Sequence, residues 1–161
     1  MKYDYIIVGA GSAGCVIANR LSEDPSTQVL LIEAGGSDRR FFIQMPIGYG
    51  VTYHQKAVNW MYMTEPSPDA DNKPSYWPRG KVMGGSSSIN AMVYVRGNSR
   101  DFDQWSEAGN PGWSYSDVLP YFKKMESWQN GPDDYRGGDG PLNVSEVSRP
   151  VSYTHLRAHE T

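Results

Sequence analysis

Apolar residues arrive along this chain in short bursts, and the form of each burst predicts an element. Tyr5-Ile6-Ile7-Val8 and Val29-Leu30-Leu31-Ile32 are continuous apolar runs rich in β-branched residues and flanked by turn formers. Such runs are the mark of strands buried in a parallel sheet. Between them, a helix is expected from about Gly11 to Leu21, stopped by Asp24-Pro25-Ser26. Strand, helix and strand in this order predict a βαβ unit, and the fold class is therefore α/β.

The pattern changes after Glu33. A standard mononucleotide half continues with another helix and strand, whereas Gly35 to Pro78 is irregular, with a Gly-Gly pair, prolines and scattered aromatics. Trp60 to Thr64 alternates weakly and predicts a short strand, and Asp69 to Pro74 predicts a surface turn. Tyr49, Tyr53, Trp60, Tyr62, Tyr76 and Trp77 are read mainly as packing and loop anchors, with pocket lining the lesser alternative. Two later helices are expected. Asn98 or Ser99 caps one that runs to about Ala108, and Ser114 or Ser116 caps another that runs to about Ser127, with Pro120 inside it. Asp101, Asp103, Asp117 and Glu126 are taken as solvent-facing or capping charges on these helices.

The first strand runs directly into Gly9-Ala10-Gly11-Ser12-Ala13-Gly14, and the spacing of these glycines has a physical meaning. Gly9 permits a tight turn, Gly11 lets a pyrophosphate lie against bare backbone, and Gly14 lets the helix pack close to the strand. The helix N-terminus then turns its N–H groups and positive dipole end toward phosphate. Glu33 ends the second strand roughly 20 positions after Gly14, the offset at which an acid reaches ribose hydroxyls. Its other reading is a solvated strand end.

Composition narrows the classes of partner. Of 161 residues, 39% are hydrophobic, and Gly and Pro together make about 17%, below a disordered composition. A net charge of −3 offers no broad basic field for nucleic acid or an anionic membrane. Arg79 and Lys81 form a local positive cluster, read either as a solvated loop or as a phosphate or flavin contact. The single cysteine, Cys15, excludes an intrachain disulfide and fits a reducing compartment, and it is placed inside the first helix as a packing residue. No leader or membrane-spanning pattern is seen. Cytoplasmic residence is the default, with peripheral membrane contact left open.

The stretch Arg79-Gly80-Lys81-Val82-Met83-Gly84-Gly85-Ser86-Ser87-Ser88-Ile89-Asn90, continuing Ala91-Met92-Val93-Tyr94-Val95-Arg96-Gly97, specifies more than the glycine fingerprint does. A Gly-Gly pair before three serines lets backbone approach a ring closely and is expected to turn N–H groups and hydroxyls toward an electron-rich partner. Together with residues 9–14, this stretch resembles the first signature of the glucose-methanol-choline (GMC) flavoprotein oxidoreductases. Met83 stands where a branched aliphatic residue is more usual. The resemblance extends through Glu33-Ala34-Gly35-Gly36, Asp101 to Trp105, Gly112 to Tyr115 and Leu119 to Lys124, and so covers about residues 4–150.

The resemblance implies FAD as cofactor, held in a Rossmann-like FAD-binding βαβ unit with irregular loops and helices, an incomplete domain. The cofactor-binding residues it implies are Gly9, Gly11, Ser12, Ala13, Gly14, Glu33, Ala34, Gly84, Gly85 and Ser86, with the backbone at Val82 and the segment Asn90, Ala91, Met92 and Val93 at the flavin end. Some family members carry a histidine joined covalently to the flavin just before the asparagine. Ile89 occupies that position here, which implies non-covalent FAD.

Family members are several times longer than the matched region, and their catalytic histidine lies in the C-terminal part. Residues 1–150 are accordingly read as the N-terminal part of the FAD-binding domain. Residues 151–161 are read as a non-native, disordered tail, in which His155 and His159 make too few ligands for a metal site. No catalytic residue is assigned. The leading function is the FAD-binding portion of a flavin-dependent alcohol oxidoreductase, similar to the choline dehydrogenases, that takes a small alcohol and an unspecified electron acceptor. The alternatives are a nicotinamide-dependent Rossmann dehydrogenase fragment and a non-catalytic nucleotide-binding fragment.

Overall fold

The computed structural model describes residues 2–146, so the expectations for residues 151–161, including the His155 and His159 pair, lie outside the described residues. The chain divides into two compact units, the first ending at Val93 and the second starting at Tyr94.

The first unit starts with β1 (Tyr5–Val8), α1 (Ser12–Leu21) and β2 (Val29–Ile32). The two strands pair in parallel, with Tyr5 opposite Val29 and Val8 opposite Ile32, and α1 is the crossover that a parallel pair requires. Asp24 ends the connection from α1 in a tight turn, its carboxylate accepting from the Ser26 N–H (2.9 Å) and hydroxyl (2.7 Å). The strands were expected to be buried, and here they are not. Ile6 is 61% exposed and Val8 83% exposed. A parallel pair needs a layer on each face to bury both.

Beyond Glu33 the chain folds as predicted into something other than a wide sheet. Two short helices, α2 (Phe41–Gln44) and α3 (Tyr49–Thr52), flank a 3-10 turn at Pro46–Gly48. The short strands β3 (Tyr62–Met63) and β4 (Tyr76–Trp77) pair antiparallel, with Tyr62 opposite Trp77. A 3-10 turn follows at Gly85–Ser88. Val58, Val82 and Ile89 form the buried apolar cluster of this unit, with Ile43 packed against it.

The second unit holds α4 (Ser99–Glu107) and α5 (Tyr115–Met125), then β5 (Glu126–Trp128) and β6 (Leu142–Val144), which pair in parallel. Asn98 caps α4 by accepting from the Arg100 N–H. Ser114 and Asp117 close a capping box on α5, which accommodates Pro120 in its interior. Phe102 on α4 packs edge-on against Phe122 on α5 (ring centroids 5.7 Å apart) and against Trp105 (5.4 Å), which joins the two helices.

Two sequence expectations fail at the end of α5, and for one reason. The helix ends at Met125 rather than near Ser127, and Glu126 is a fully buried residue on a strand rather than a solvent-facing helical charge. Its carboxylate is held by Arg96 Nη2 at 2.8 Å and lies 3.0 Å from Arg136 Nε. The Arg136 guanidinium also lies over the Trp128 ring, 4.2 Å from its centroid. Two cations reached from distant sequence positions make burial of this carboxylate tolerable, and no local periodicity signals them.

Burial by itself would raise the Glu126 carboxyl pKa, but hydrogen bonds from Arg96 and Tyr94 and the charges of Arg96 and Arg136 outweigh it and hold the carboxyl below the ordinary range. A depressed native pKa stabilises the fold above the unfolded-state value and loses that contribution as pH falls through the native one. The second unit should therefore lose stability in acid, beginning near the usual glutamate value of about 4.3. Glu126→Gln should cost about 3 kcal/mol or more at neutral pH, because two guanidinium groups lose their counter-charge. Denaturant unfolding followed by tryptophan fluorescence at pH 7 and through an acid series measures both effects, and the variant should lack most of the acid dependence.

Candidate dinucleotide-binding site

The site is built where β1 gives way to α1. Gly9 takes a left-handed conformation (φ +96°) that its lack of a side chain permits, and its N–H donates to Ile32 O at 2.7 Å. A methyl group at Gly14 would collide with the Gly9 carbonyl oxygen, so the close helix-to-strand approach requires glycine there. A methyl group at Gly9 or Gly11 would meet no protein atom within 4 Å. These two positions present bare backbone to open space. No side chain caps the N-terminus of α1, and its first turn carries no acid, which leaves the positive end of the helix dipole available to an anion.

Glu33 braces this turn from the end of β2. Its Oε2 accepts from the Ala10 N–H and its Oε1 from the Gly35 N–H, both at 2.8 Å. A carboxylate accepts about four hydrogen bonds in total, and Glu33 keeps the remaining capacity while lining the cleft described below.

The loop at residues 80–88 docks onto the same turn. Gly84 N–H donates to Ala10 O at 2.7 Å, and Ser12 and Ser87 hydroxyls meet at 2.8 Å. Gly85 lies so near Gly11 that a methyl group on it would come to 2.8 Å from the Gly11 Cα. Gly84 and Gly85 both have positive φ, so the Gly-Gly pair is needed for its backbone conformation as well as for this approach. Gly36 pairs with Val82 in an isolated bridge, and Met83 N–H donates to Gly36 O at 2.9 Å.

The serine hydroxyls behave differently from the sequence expectation. Ser86 Oγ accepts from Gly80 N–H (3.1 Å), while Ser87 and Ser88 donate to Gly84 O and Met83 O (2.7 Å each). Their first role is to hold the loop, because a 3-10 turn brings each hydroxyl back onto preceding backbone. Ile89, in the position of the linking histidine, is buried in the apolar cluster. The Val82 side chain is buried there too, and its carbonyl accepts from Gly85 N–H at 2.7 Å.

A cleft of about 450 Å³ gathers Gly9, Gly11, Glu33, Ala34, Gly85 and Ser86, within the size range of cofactor sites. Ser12, Ala13, Gly14 and Gly84 are not among its lining residues; the first three lie in the first turn of α1 and Gly84 next to Gly85 in the docked loop. Asn90 and Met92 line a separate cavity of about 190 Å³ with Ser87 and Ser88, whereas Ala91 and Val93 line neither. Asn90 Oδ1 accepts from Met92 N–H at 2.9 Å, fixing the bend at which Met92 has φ +58°.

The cleft also includes Trp60, Tyr62 and Arg79. The sequence reading had treated the two aromatics mainly as packing. Trp60 lies outside β3, and Met61 between the two aromatics has φ +56°, so strand alternation does not bring them to the cleft and no local signal marked them. His54 stacks on Tyr76 (ring centroids 6.0 Å apart) and is not among the cleft residues. Among the described residues no cluster of His, Cys, Asp and Glu is suited to a metal, and no helix is long and apolar enough to cross a membrane.

A family model described as GMC oxidoreductase matches residues 3–159. The chain belongs to the GMC oxidoreductase family. It is 57% identical over 142 residues to an oxygen-dependent choline dehydrogenase of Vibrio vulnificus (strain YJ016), a match covering 88% of this chain and 25% of that protein. Against a mitochondrial choline dehydrogenase of Mus musculus the identity is 48% over 166 residues, covering 98% of this chain and 28% of the relative. Among solved structures, pyridoxine 4-oxidase from Mesorbium loti superposes with a TM-score of 0.78 at 39% identity, over 88% of this chain and 28% of that one. The chain thus spans about a quarter of the length of the curated GMC relatives it matches. The α/β expectation holds, and the GMC signature at residues 79–90 is the loop that docks on the glycine turn.

Glu33→Ala should free the Ala10 and Gly35 N–H groups. Charge-assisted hydrogen bonds contribute about 1.5–3 kcal/mol, so amide exchange at both positions should speed up roughly tenfold to a hundredfold. Exchange mass spectrometry with residue-level fragmentation checks this. Glu33→Gln should fall between, since it keeps one acceptor oxygen and points an amide donor at the other N–H.

Proposed function

We propose that this chain is the FAD-binding portion of a flavin-dependent oxidoreductase acting on the CH–OH group of a small alcohol of the choline type. The observation that carries the reading is the docking of the Gly84-Gly85 loop on the Ala10-Gly11 turn, which joins the GMC signature to the glycine turn. Family membership and the names of the relatives support the same activity.

Each part of the site has a stated task in this reading. The bare backbone of Gly9 and Gly11 and the uncapped first turn of α1, from Ser12 to Gly14, receive the pyrophosphate. Glu33 accepts from ribose hydroxyls with the lone pairs that Ala10 and Gly35 leave free, next to Ala34. Gly84, Gly85 and Ser86 close the cleft beside the phosphates, and the backbone of Val82 and of Asn90 through Val93 faces the flavin end. FAD, when bound, supplies a two-electron acceptor for hydride from the alcohol carbon. The general base is assigned to no residue of this segment and belongs to the further length that the relatives have. Residues 1–150 form the N-terminal part of the FAD-binding domain, and the single cysteine suits a reducing compartment such as the cytoplasm.

The intact polypeptide should purify yellow, with an absorption band near about 450 nm from its flavin. Because Ile89 offers no nucleophile, brief boiling or acid should release all of the flavin to the supernatant. Fluorescence retained on a denaturing gel would disprove non-covalent binding, and a colourless polypeptide that needs added nicotinamide would disprove the flavin assignment.

Residues 1–161 alone should turn over no alcohol with excess FAD, while the intact polypeptide should bleach its flavin anaerobically with a primary alcohol. Losing general base catalysis alone costs about 10²- to 10⁴-fold. Substrate-dependent bleaching by the short chain would place a base within it.

A further inference from the structure

Asn59 is a buried polar side chain, 1% exposed, with every bonding position in use. Its Oδ1 accepts from the Met61 and Arg79 N–H groups, both at 2.9 Å, and its Nδ2 donates to Tyr53 O at 2.8 Å and to Tyr76 Oη at 3.0 Å. The Tyr76 hydroxyl in turn donates to Tyr53 O. A side-chain amide has two donors and an oxygen with two lone pairs, so no capacity is left over. One residue thereby ties the chain together at positions 53, 61, 76 and 79. At Met61 the tie holds a φ of +56°, a conformation a non-glycine residue keeps only where its surroundings over-determine it.

The bond to Arg79 reaches furthest, because residues 79–82 are the root of the loop that docks on the glycine turn. Asn59 and Gly80 form an antiparallel bridge, beside which Trp60 N–H donates to Arg79 O and Lys81 N–H to Val58 O, both at 2.8 Å. Gly80 is the next link. Its N–H donates to Ser86 Oγ at 3.1 Å, and a methyl group on it would come to 2.0 Å from Gly85 O. The position of Asn59 is passed in this way to Gly85 and Ser86, next to the Gly84 N–H that donates to Ala10 O. On its other side the root crosses Gly35, where a methyl group would come to 2.1 Å from Lys81 O, and Gly35 is itself held by Glu33. The root is thus held by a backbone crossing on one side and by a single side-chain amide on the other.

We infer that Asn59 is a positioning residue for the cofactor cleft, holding the root of the 80–88 loop in the register that brings Gly84 and Gly85 onto Ala10 and Gly11. It is absent from the cleft lining and acts through the loop alone. The inference rests on the proposal that this cleft holds FAD. Aspartate is the informative replacement, because it keeps the shape and the acceptor for Met61 and Arg79 and changes only the donors. A protonated carboxyl donates one O–H and a carboxylate none. The neutral form therefore restores the hub in part, whereas the ionised form turns only lone pairs to the Tyr53 carbonyl.

Two measurements on the intact polypeptide stripped of flavin test this, calorimetry with FAD and amide exchange at Gly84 without FAD. Burial raises the pKa of a carboxyl, so the introduced group should be largely neutral at about pH 5 and ionised at about pH 8. The FAD dissociation constant of Asn59→Asp relative to wild type should lie within about threefold of unity at the lower pH and rise to about tenfold at the higher, with Gly84 exchange faster by a similar factor. His54, stacked on Tyr76, is present in both proteins, and the ratio removes its contribution. Should Asn59→Asp fail to fold, Tyr76→Phe removes one partner of the amide and should shift both readouts in the same direction by about threefold. Unchanged Gly84 exchange in a folded Asn59→Asp or Tyr76→Phe variant overturns the positioning role, as does an Asn59→Asp affinity ratio that is equal at the two pH values. Wild type that binds no FAD sinks the flavin proposal, and Gly84 exchange then decides the role of Asn59 in docking the loop.

Discussion

The peptide unit of Ala10 is pinned from both sides, and the geometry of the cleft follows from that. Its N–H donates to Glu33 and its carbonyl accepts from Gly84 N–H and, at 3.3 Å, from the Cys15 thiol. Ala10 is fully buried, so these bonds form away from competing water, where leaving one unmade is costly. One small residue thus joins the end of β2, the start of α1 and the loop at 80–88. A larger side chain would push the loop away, and a displaced loop would part Gly85 from Gly11.

Glycine has two different roles around this joint. At Gly14, Gly35, Gly80 and Gly85 a side chain would strike backbone, so absence of mass lets chain segments cross closely. At Gly9 and Gly11 a side chain would meet no protein atom within 4 Å, and absence of mass leaves room for something else. The first group makes the cleft, and the second keeps it open. This division gives the GMC assignment a physical content that a count of glycines lacks, since a loop of bare glycines with nothing packed on its other side would hold no fixed cleft.

The second unit uses charge where the first uses close approach. Glu126 gathers Arg96 and Arg136 around a fully buried carboxylate, and those guanidinium groups lie over Phe122 and over Trp128 and Tyr94. The ion cluster is thereby walled by aromatic faces that attract cations. Removal of one partner is worse than never having built the cluster, because the others remain buried without their counter-charges. The exposed faces of β1 and β2 show the opposite condition, apolar surface that the described residues leave uncovered.

The sequence by itself determined the elements whose signals are local. β1, α1 and β2, the N-caps at Asn98 and Ser114, and the tasks of Gly9, Gly11 and Gly14 follow from chirality, hydrogen-bond supply and periodicity within a few residues. The signature at 79–90 was legible as a family resemblance, and its pairing with the glycine turn was foreseen only as co-occurrence. Only the tertiary structure decided which backbone atoms meet, and it engaged the three serine hydroxyls with the backbone of their own loop and, through Ser87, with Ser12. It also moved Trp60 and Tyr62 from packing to the wall of a cleft, through an Asn59 amide that reaches Tyr53, Tyr76 and Arg79. Glu126 changed most, from a surface charge on a helix to a buried strand residue. Its environment is set by Arg96, far from it in sequence, and by Arg136 across the β5–β6 connection, and the burial of a charge is decided by partners in space, which no local pattern encodes.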